Sequence, residues 1–330
     1  MIYQKNNKTL KIMVIPLPPP VLSLVIPVFN EGSDISKNLQ TIISAAFCGE
    51  DKPMEVIAVD DGSSDNSVAT ILSITQTDHR IRLIELTRNF GKEAAIHAGL
   101  AAARGNAVII LDADLQHPPE LIPQMVELWT RGVLVVEAIK VNRGRESLLS
   151  KFLSHLFYSL FYFFTHLNIR GLCDFKLLDR HVVDTYLAFP ENQRFFRGLI
   201  GWSGYPSARI PFKVGTRQGS GGSRWSRFRL LGYAIDNITA LSSLPLQIVS
   251  WTGAFSLLLG IIIGLISLWQ KCQGIALDGF TTINLLIVII GGTILMGLGI
   301  ISHYLRRIYE EVKGRPGYLI KPRSNRKHKQ

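Results

Sequence analysis

The residues best suited to chemistry are Asp112 and Asp114, in the run Leu111-Asp112-Ala113-Asp114-Leu115-Gln116-His117-Pro118-Pro119, directly after the apolar segment Ala107 to Ile110. Two carboxylates at the end of a short buried strand can hold a hard divalent cation. Mg²⁺ or Mn²⁺ held in this way is commonly shared with a substrate diphosphate. Asp and Pro also favour turns, so the three residues alone read first as a solvated turn. Two other polar clusters shift that balance: Pro27-Val28-Phe29-Asn30-Glu31 and Asp60-Asp61-Gly62-Ser63, each of which follows an apolar run. Either cluster by itself fits a loop as well as a site. At one common edge they predict a concave nucleotide-diphosphate pocket.

Such an edge requires a particular fold. Val21 to Val28, Glu55 to Val59, Ile81 to Leu86 and Ala107 to Leu111 read as strands. Helical stretches alternate with them: one opened by Ser33 and running through Leu39 to Ala46, then Val68 to Ile74, then Lys92 to Ala103. Continuous apolar strands of this kind are covered on both faces, and the alternation predicts an α/β, Rossmann-like domain with a largely parallel sheet. Ligands of such sheets bind beyond the carboxyl ends of the strands, where all three polar clusters fall. Val133 to Ile139 reads as a further strand, and Lys140, Arg143 and Arg145 after it would suit a phosphate.

The 330 residues, 47% of them hydrophobic, carry their apolar excess at one end. Leu244 to Trp269 is 26 residues without an ionisable side chain, and Phe280 to Ser302 is 23. Each exceeds the roughly 20 residues that a helix needs to cross a bilayer. Their glycines suit close packing in lipid and suggest a homo-oligomer. Arg224, Arg227 and Arg229 precede the first span, and Arg306, Arg307, Lys313, Arg315 and a basic stretch from Lys321 to Lys329 follow the second. The count of basic residues at the ends predicts a membrane hairpin with both flanks, and everything before it, on the cytoplasmic side. The formal net charge of +11 then meets anionic membrane lipids. No interleaving of aromatic and basic residues supports a nucleic acid partner.

Residues 148–167 and 224–243 read as helices lying in the membrane interface, with a core helix as the other reading of the first. The glycine-rich stretch Gly219 to Gly222 reads as a lid or a linker. Residues 1–20, broken by Pro16 and Pro18 to Pro20, read as a flexible arm, and 306–330 as a basic tail. Cys48, Cys173 and Cys272 are too few and too scattered for a disulfide framework or a metal cluster.

Val25-Ile26-Pro27-Val28-Phe29-Asn30-Glu31, Val59-Asp60-Asp61-Gly62-Ser63-Ser64-Asp65, Arg88-Asn89-Phe90-Gly91-Lys92 and the Asp112 to Pro119 run together resemble the family 2 glycosyltransferases of GT-A fold. The last run and the two-span hairpin are most similar to the branch that glycosylates polyisoprenyl phosphates, the bactoprenol glucosyltransferases among them. The resemblance implies that Pro27, Phe29, Asn30, Glu31, Asp60 and Asp61 hold the base and ribose of a nucleotide sugar. It implies that Asp112, Ala113, Asp114 and Gln116 gather Mg²⁺ or Mn²⁺ and the diphosphate, with Asp112, Asp114 and Gln116 as the metal residues. Lys92 reads equally as a phosphate contact and as an exposed residue of a helix's first turn.

On the acceptor side the resemblance implies Lys140, Arg143, Lys176 and Arg194 as phosphate residues. Lys140 and Lys176 stand where the family often has Arg, and a lysine cannot present a bidentate fork. Asp174, in Cys173-Asp174-Phe175-Lys176-Leu177, is the implied general base, or else an ion-pair partner of a nearby Lys or Arg. Glu191 to Leu199 is similar to the segment that closes the site from the acceptor side. The function implied is inverting transfer of a single hexose, glucose from UDP-glucose, to undecaprenyl phosphate. GDP-mannose is the alternative donor. A non-catalytic membrane scaffold and a lipid-transport subunit are the readings from other classes.

Overall fold

The computed structural model describes residues 21–32, 34–47, 54–142, 148–167, 171–192, 194–213, 239, 242–273 and 280–322. The expectations for residues 1–20, Arg143, Arg145, Gly219 to Gly222, the helix over 224–243 except at 239, 242 and 243, and the end of the basic tail fall outside these residues.

Seven strands form one sheet: β1 Leu22–Val28, β2 Met54–Asp60, β3 Ile81–Glu85, β4 Ala107–Ile110, β5 Val135–Asn142, β6 Leu172–Asp179 and β7 Ser207–Lys213. They lie in the order β3-β2-β1-β4-β6-β5-β7. The first four strands are mutually parallel, as the alternation predicts. The chain order reverses between β1 and β4, which makes their carboxyl ends a topological switch point. The structure adds a feature that the alternation does not contain. β6 runs antiparallel to both β4 and β5, and β7 again runs parallel to β5. Six strands therefore end at one rim, and β6 begins there.

Apolar packing covers both faces of the sheet. On one face Leu24, Ile26, Val56 and Ile109 pack against α1 (Asp34–Phe47), α2 (Ser67–Thr77) and α4 (Ile122–Thr130). On the other face Val25, Ile57, Val108 and Ile110 pack against α3 (Lys92–Ala102), α6 (Arg180–Ala188) and α7 (Phe196–Trp202). Alternate residues of β1 thus serve opposite cores, as the two-residue period of a strand requires.

The helix α5 (Leu148–Thr165) occupies the stretch expected at the interface. It buries Phe161 against Phe195, with Tyr158, Leu167 and Leu172 around them, and leaves Leu160, Tyr162 and Phe163 exposed. The helices α8 (Leu244–Cys272) and α9 (Phe280–Val312) are long and apolar enough to cross a membrane. Both expose large apolar side chains, among them Trp251, Phe255, Ile287 and Leu295. They approach each other at Gly297, where an added Cβ would lie 3.0 Å from Val249. Gly253, Gly260, Gly291, Gly292 and Gly299 meet nothing within 4 Å, so most of these glycines serve no packing within the chain.

The start of the basic tail is built into the domain. α9 continues to Val312, and the chain then turns back to the free edge of β3. Ile320 bridges Leu86 in antiparallel sense, Thr87 N–H donates to Leu319 O (2.9 Å) and Lys321 N–H donates to Glu85 O (2.7 Å). An edge strand left open would expose its unpaired groups, and this segment covers it.

Candidate active site

Two loops at the rim are tied together by side chains. Asn30 takes a left-handed φ of 55°, which Asn tolerates better than most residues. Its N–H donates to Ser63 Oγ (2.9 Å), and its Oδ1 accepts from Ser64 N–H (2.9 Å). Glu31 N–H and Gly32 N–H both reach Ser67 Oγ at 3.0 Å. Gly62, with φ 72°, is forced by close approach as well, since a Cβ there would lie 2.4 Å from the Arg88 carbonyl carbon. The ends of β1 and β2 therefore form one rigid floor, beside which Pro27 is half-buried and Phe29 is exposed.

The acidic pair on that floor divides its work. Asp61 is buried, and its two oxygens accept from Phe90 N–H (2.7 Å) and Gly91 N–H (2.9 Å), which fixes the entry to α3. Burial pushes its pKa up in spite of those two donors. Asp60 Oδ2 accepts from Gly62 and Ser63 N–H, whereas Asp60 Oδ1 is buried with no hydrogen-bond partner. An acceptor left in this way is a place for a ligand's O–H or N–H.

At the end of β4, the turn that carries Asp112 and Asp114 is held from several sides. Asn38 donates to Ala113 O (2.9 Å), Gln116 N–H donates to Asp114 Oδ1 (3.0 Å), and Asp112 N–H donates to His117 Nδ1 (3.3 Å). His117 is buried, stacked on Phe175 and edge-on to Phe212. Burial lowers its pKa, which suits the neutral form that accepts at Nδ1. Gln116 thus acts on Asp114 through its backbone.

Asp174 reaches the same turn because β6 runs the other way. Ile110 pairs with Lys176 in the ladder, so two steps further along Asp112 comes level with Asp174. The Lys92 ammonium lies between them, 2.5 Å from Asp112 Oδ1 and 2.6 Å from Asp174 Oδ2. Arg197, from the first turn of α7, grips Asp174 from the other side, with Nε to Oδ1 at 2.6 Å and Nη2 to Oδ2 at 2.9 Å. Burial alone would raise the pKa of Asp174, but Lys92 and Arg197 outweigh it and hold the carboxyl well below the usual range. Burial likewise opposes the Lys92 charge, and Asp112 and Asp174 together raise its pKa above that of an ordinary lysine. Of the two readings open for Asp174, the structure contains the ion pair.

Three of the implied acceptor residues fall in different places. Lys140 lies at the rim, where its N–H donates to Gly171 O (3.0 Å) and its charge bears on His117 and Cys173. Lys176 is fully buried one pleat repeat below Asp174, paired with Glu137, its partner in the β5 ladder. Arg194 donates to three carbonyls, those of Glu191, Tyr186 and Phe189, and so caps the end of α6. The structure therefore corrects two expectations: neither Lys176 nor Arg194 joins the rim cluster. Their types fitted the role, but strand register turns one inward and a helix end engages the other.

Arg197 and Glu93 were not singled out from the sequence. Arg197 lies in the Glu191 to Leu199 segment, and only the turn of α7 selects it over Arg194. Glu93 follows Lys92 and accepts from Phe196 N–H (2.9 Å). Burial, followed by the Asp174 charge, pushes its pKa up to about 7. Beside it Arg88, His97 and Arg194 face Lys313 and Tyr318 of the returning segment across a cavity of about 480 Å³.

The donor set at the rim fits a divalent cation that takes its remaining ligands from a substrate. Among the described residues no group of three or more His, Cys, Asp or Glu could hold a metal unaided. Asp112 and Asp114 offer two carboxylates at a half-open position, and Asp112 already contacts a cationic group. One or two carboxylates completed by phosphates is the usual arrangement for Mg²⁺.

The family described as Glycosyl transferase family 2 matches residues 23–187. An uncharacterized glycosyltransferase of Synechocystis is 36% identical over 301 residues, covering 91% of this chain and 94% of the relative. A bactoprenol glucosyl transferase of Shigella phage SfX is 33% identical over 309 residues, covering 92% of this chain and 99% of the relative. Among solved structures, a mannosyltransferase from Pyrobaculum calidifontis in complex with GDP-Man and Mn²⁺ aligns at 18% identity with a TM-score of 0.43, over 86% of this chain and 88% of that one.

Proposed function

The chain belongs to glycosyl transferase family 2, and on that premise we propose that it moves one hexose, glucose from UDP-glucose, to an undecaprenyl-type polyprenyl phosphate with inversion. The observation that carries this reading is the Lys92 ammonium, which touches Asp112 on the donor side and Asp174 on the acceptor side. Donor and acceptor would then meet one side chain apart, as a single displacement requires. An acceptor phosphate oxygen bonds to the anomeric carbon while the bond from that carbon to the diphosphate oxygen breaks, and the electron pair leaves on the nucleoside diphosphate.

A phosphate monoester has a second pKa of about 6, so the acceptor oxygen needs no deprotonation at neutral pH. Asp174, held ionised by two cations, is a poor proton acceptor and would orient Lys92 and Arg197 instead. The electrostatic problem is an anionic nucleophile approaching an anionic donor, and Lys92, Lys140 and Arg197 supply preorganised positive charge for it. Asp112 and Asp114, their turn fixed by Gln116 N–H and His117, would hold Mg²⁺ or Mn²⁺. When bound, that cation stabilises charge on the leaving diphosphate. The orphaned Asp60 Oδ1 would take a ribose hydroxyl or a base N–H.

The lipid acceptor is supported by the two apolar helices, by the exposed apolar side chains of α5 and by the name of the phage relative. In this reading the protein sits in a bacterial cytoplasmic membrane as a hairpin with cytoplasmic termini. Residues 148–167 lie in the interface, and the outward glycines of α8 and α9 are available for self-association. The test is a radiolabel transfer assay on detergent-solubilised protein with undecaprenyl phosphate, Mg²⁺ or Mn²⁺, and UDP-glucose or GDP-mannose. Labelled lipid from UDP-glucose is expected. Label only from GDP-mannose overturns the donor, and no lipid-linked sugar from either overturns the reading.

A further inference from the structure

Lys92 contacts carboxylates that come from different strands and are held with unequal strength. Asp174 is buried and keeps a two-pronged grip from Arg197 whatever Lys92 does. Asp112 has a side chain 27% exposed, and its other basic neighbour is His117, whose Nδ1 lies 3.7 Å from Asp112 Oδ2. That nitrogen accepts the Asp112 N–H. Among the described residues Lys92 is the one lysine or arginine paired with Asp112, and its own side chain is 40% exposed. A lysine head has three N–H donors on a flexible stem, so it can change anionic partners without moving the helix that bears it.

We propose that Lys92 is a tethered counter-cation: it neutralises Asp112 and Asp174 until nucleoside diphosphate and divalent cation arrive together, then gives up Asp112 and transfers its charge to the diphosphate. The inference rests on the donor-site reading above. A divalent cation alone must break the Lys92–Asp112 pair and would leave the ammonium facing a second positive charge. A cation that arrives with a diphosphate offers Lys92 a new anionic partner in the same place. Metal and nucleotide should thus bind with positive coupling, and by linkage each raises the affinity of the other by the same factor. Arg197 prevents Asp174 from becoming an unpaired buried charge during the exchange, which explains why one carboxylate has two cations.

The test is Mn²⁺ binding to full-length, detergent-solubilised protein, followed by electron paramagnetic resonance with and without UDP, or GDP if that is the base bound. Wild type should bind Mn²⁺ at least about tenfold more tightly with nucleotide, within the usual range of coupling. Lys92→Met should bind Mn²⁺ alone about tenfold more tightly than wild type, on the scale of ordinary coupling, and so show a correspondingly smaller nucleotide-dependent gain, with the part owed to direct ligation of the metal by the diphosphate retained. Lys92→Gln is the second variant if Lys92→Met does not melt cooperatively. Arg88→Gln removes a positive charge from the same rim without touching Asp112, and should stay near wild type. Wild-type Mn²⁺ affinities in the Lys92 variant, or equal tightening in Arg88→Gln, overturn the proposal. Asp112→Asn separates the two levels. If it abolishes Mn²⁺ binding while Lys92→Met behaves as wild type, only the counter-cation fails. If it binds Mn²⁺ as wild type does, the donor-site reading fails and the counter-cation with it.

Discussion

In the half of the sheet made by β3, β2, β1 and β4, four parallel strands deliver Asn30, Asp60 and Asp112 from their carboxyl ends. In the half made by β6, β5 and β7, the strand that bears Asp174 is reversed and contributes its amino end. The first half leaves Asp112 half-open and Asp60 Oδ1 unsatisfied, and closes only Asp61, on the Phe90 and Gly91 N–H groups. The second buries its acidic group and clamps it between two cations. An open carboxylate beside an exchangeable cation suits a metal and a leaving diphosphate, whereas a clamped one suits positioning. The two sides of the site therefore differ in electrostatic design, although they lie level across one ladder.

The largest effect expected is at Asp112. Asp112→Asn should lower transfer about a thousandfold, on the scale of removing one preorganised electrostatic contact to the leaving group. Its thermal midpoint should stay close to wild type, because the side chain is partly exposed. Asp174→Asn should cost less rate and more stability, since it leaves Lys92 and Arg197 with half of their counter-charge. Initial rates and melting curves on both variants check the contrast. A loss of rate at Asp174 equal to that at Asp112, with the fold intact, would make Asp174 the general base after all and remove the distinction between the halves.

A smaller effect separates the positive charges of the second half. Arg197→Met should lower transfer about tenfold to a hundredfold, with the larger part in the apparent KM for the lipid phosphate, as expected when a charge contact to substrate is lost. Lys176→Met should leave that KM within about twofold, because its ammonium is spent on Glu137 inside the sheet, and its cost should appear in stability. Glu137 keeps Arg209 Nε at 3.4 Å in the variant, which limits that cost. Steady-state kinetics over a range of lipid phosphate decide the matter. A KM change at Lys176 as large as at Arg197 would return Lys176 to the acceptor site.

The parallel half was legible from residue types because its grammar is local: an apolar run, a polar cluster at its end, an amphipathic stretch. Asp60, Asp61 and Asp112 follow directly from that pattern. The second half depends on a non-local pairing. Nothing in Leu172 to Asp179 announces that it will insert antiparallel between β4 and β5, and the level positions of Asp112 and Asp174 follow only from that insertion. The same cause misplaced Lys176, two residues from Asp174 and on the same face of the strand but one repeat too deep. Arg194 and Arg197 are both arginines of one loop-to-helix segment. Which of them reaches the site depends on the end of α6 and the first turn of α7, whose joint geometry no spacing rule contains. The return of the chain to the edge of β3 was hidden for a similar reason, since a basic segment after a membrane helix looks solvated until its backbone is paired.

The smallest effect expected concerns the joint between the halves. Glu93 opens α3, which packs on β1 and β2, and its Oε2 accepts from Phe196 N–H at the start of α7, whose Arg197 grips Asp174 on β6. Its pKa is pushed up to about 7 from an ordinary 4.5, first by burial and then by the charge of Asp174. The unfolded chain releases this proton near the ordinary value, while the folded chain keeps it until about 7. Between those values the folded state binds more protons, so the contribution of Glu93 to stability is full below the lower value and falls as pH rises through the window. Glu93→Gln retains an acceptor for Phe196 N–H and cannot ionise. Its melting temperature relative to wild type should therefore rise between pH 5 and pH 8, by about 3 °C if the cost is near 1 kcal/mol. Comparing the two proteins at each pH cancels the groups that they share. A difference that stays constant across the range would mean that Glu93 is already ionised in the fold. The α3–α7 joint would then be one more ion pair of the clamped half, and no neutral hinge would separate the clamp from the open rim.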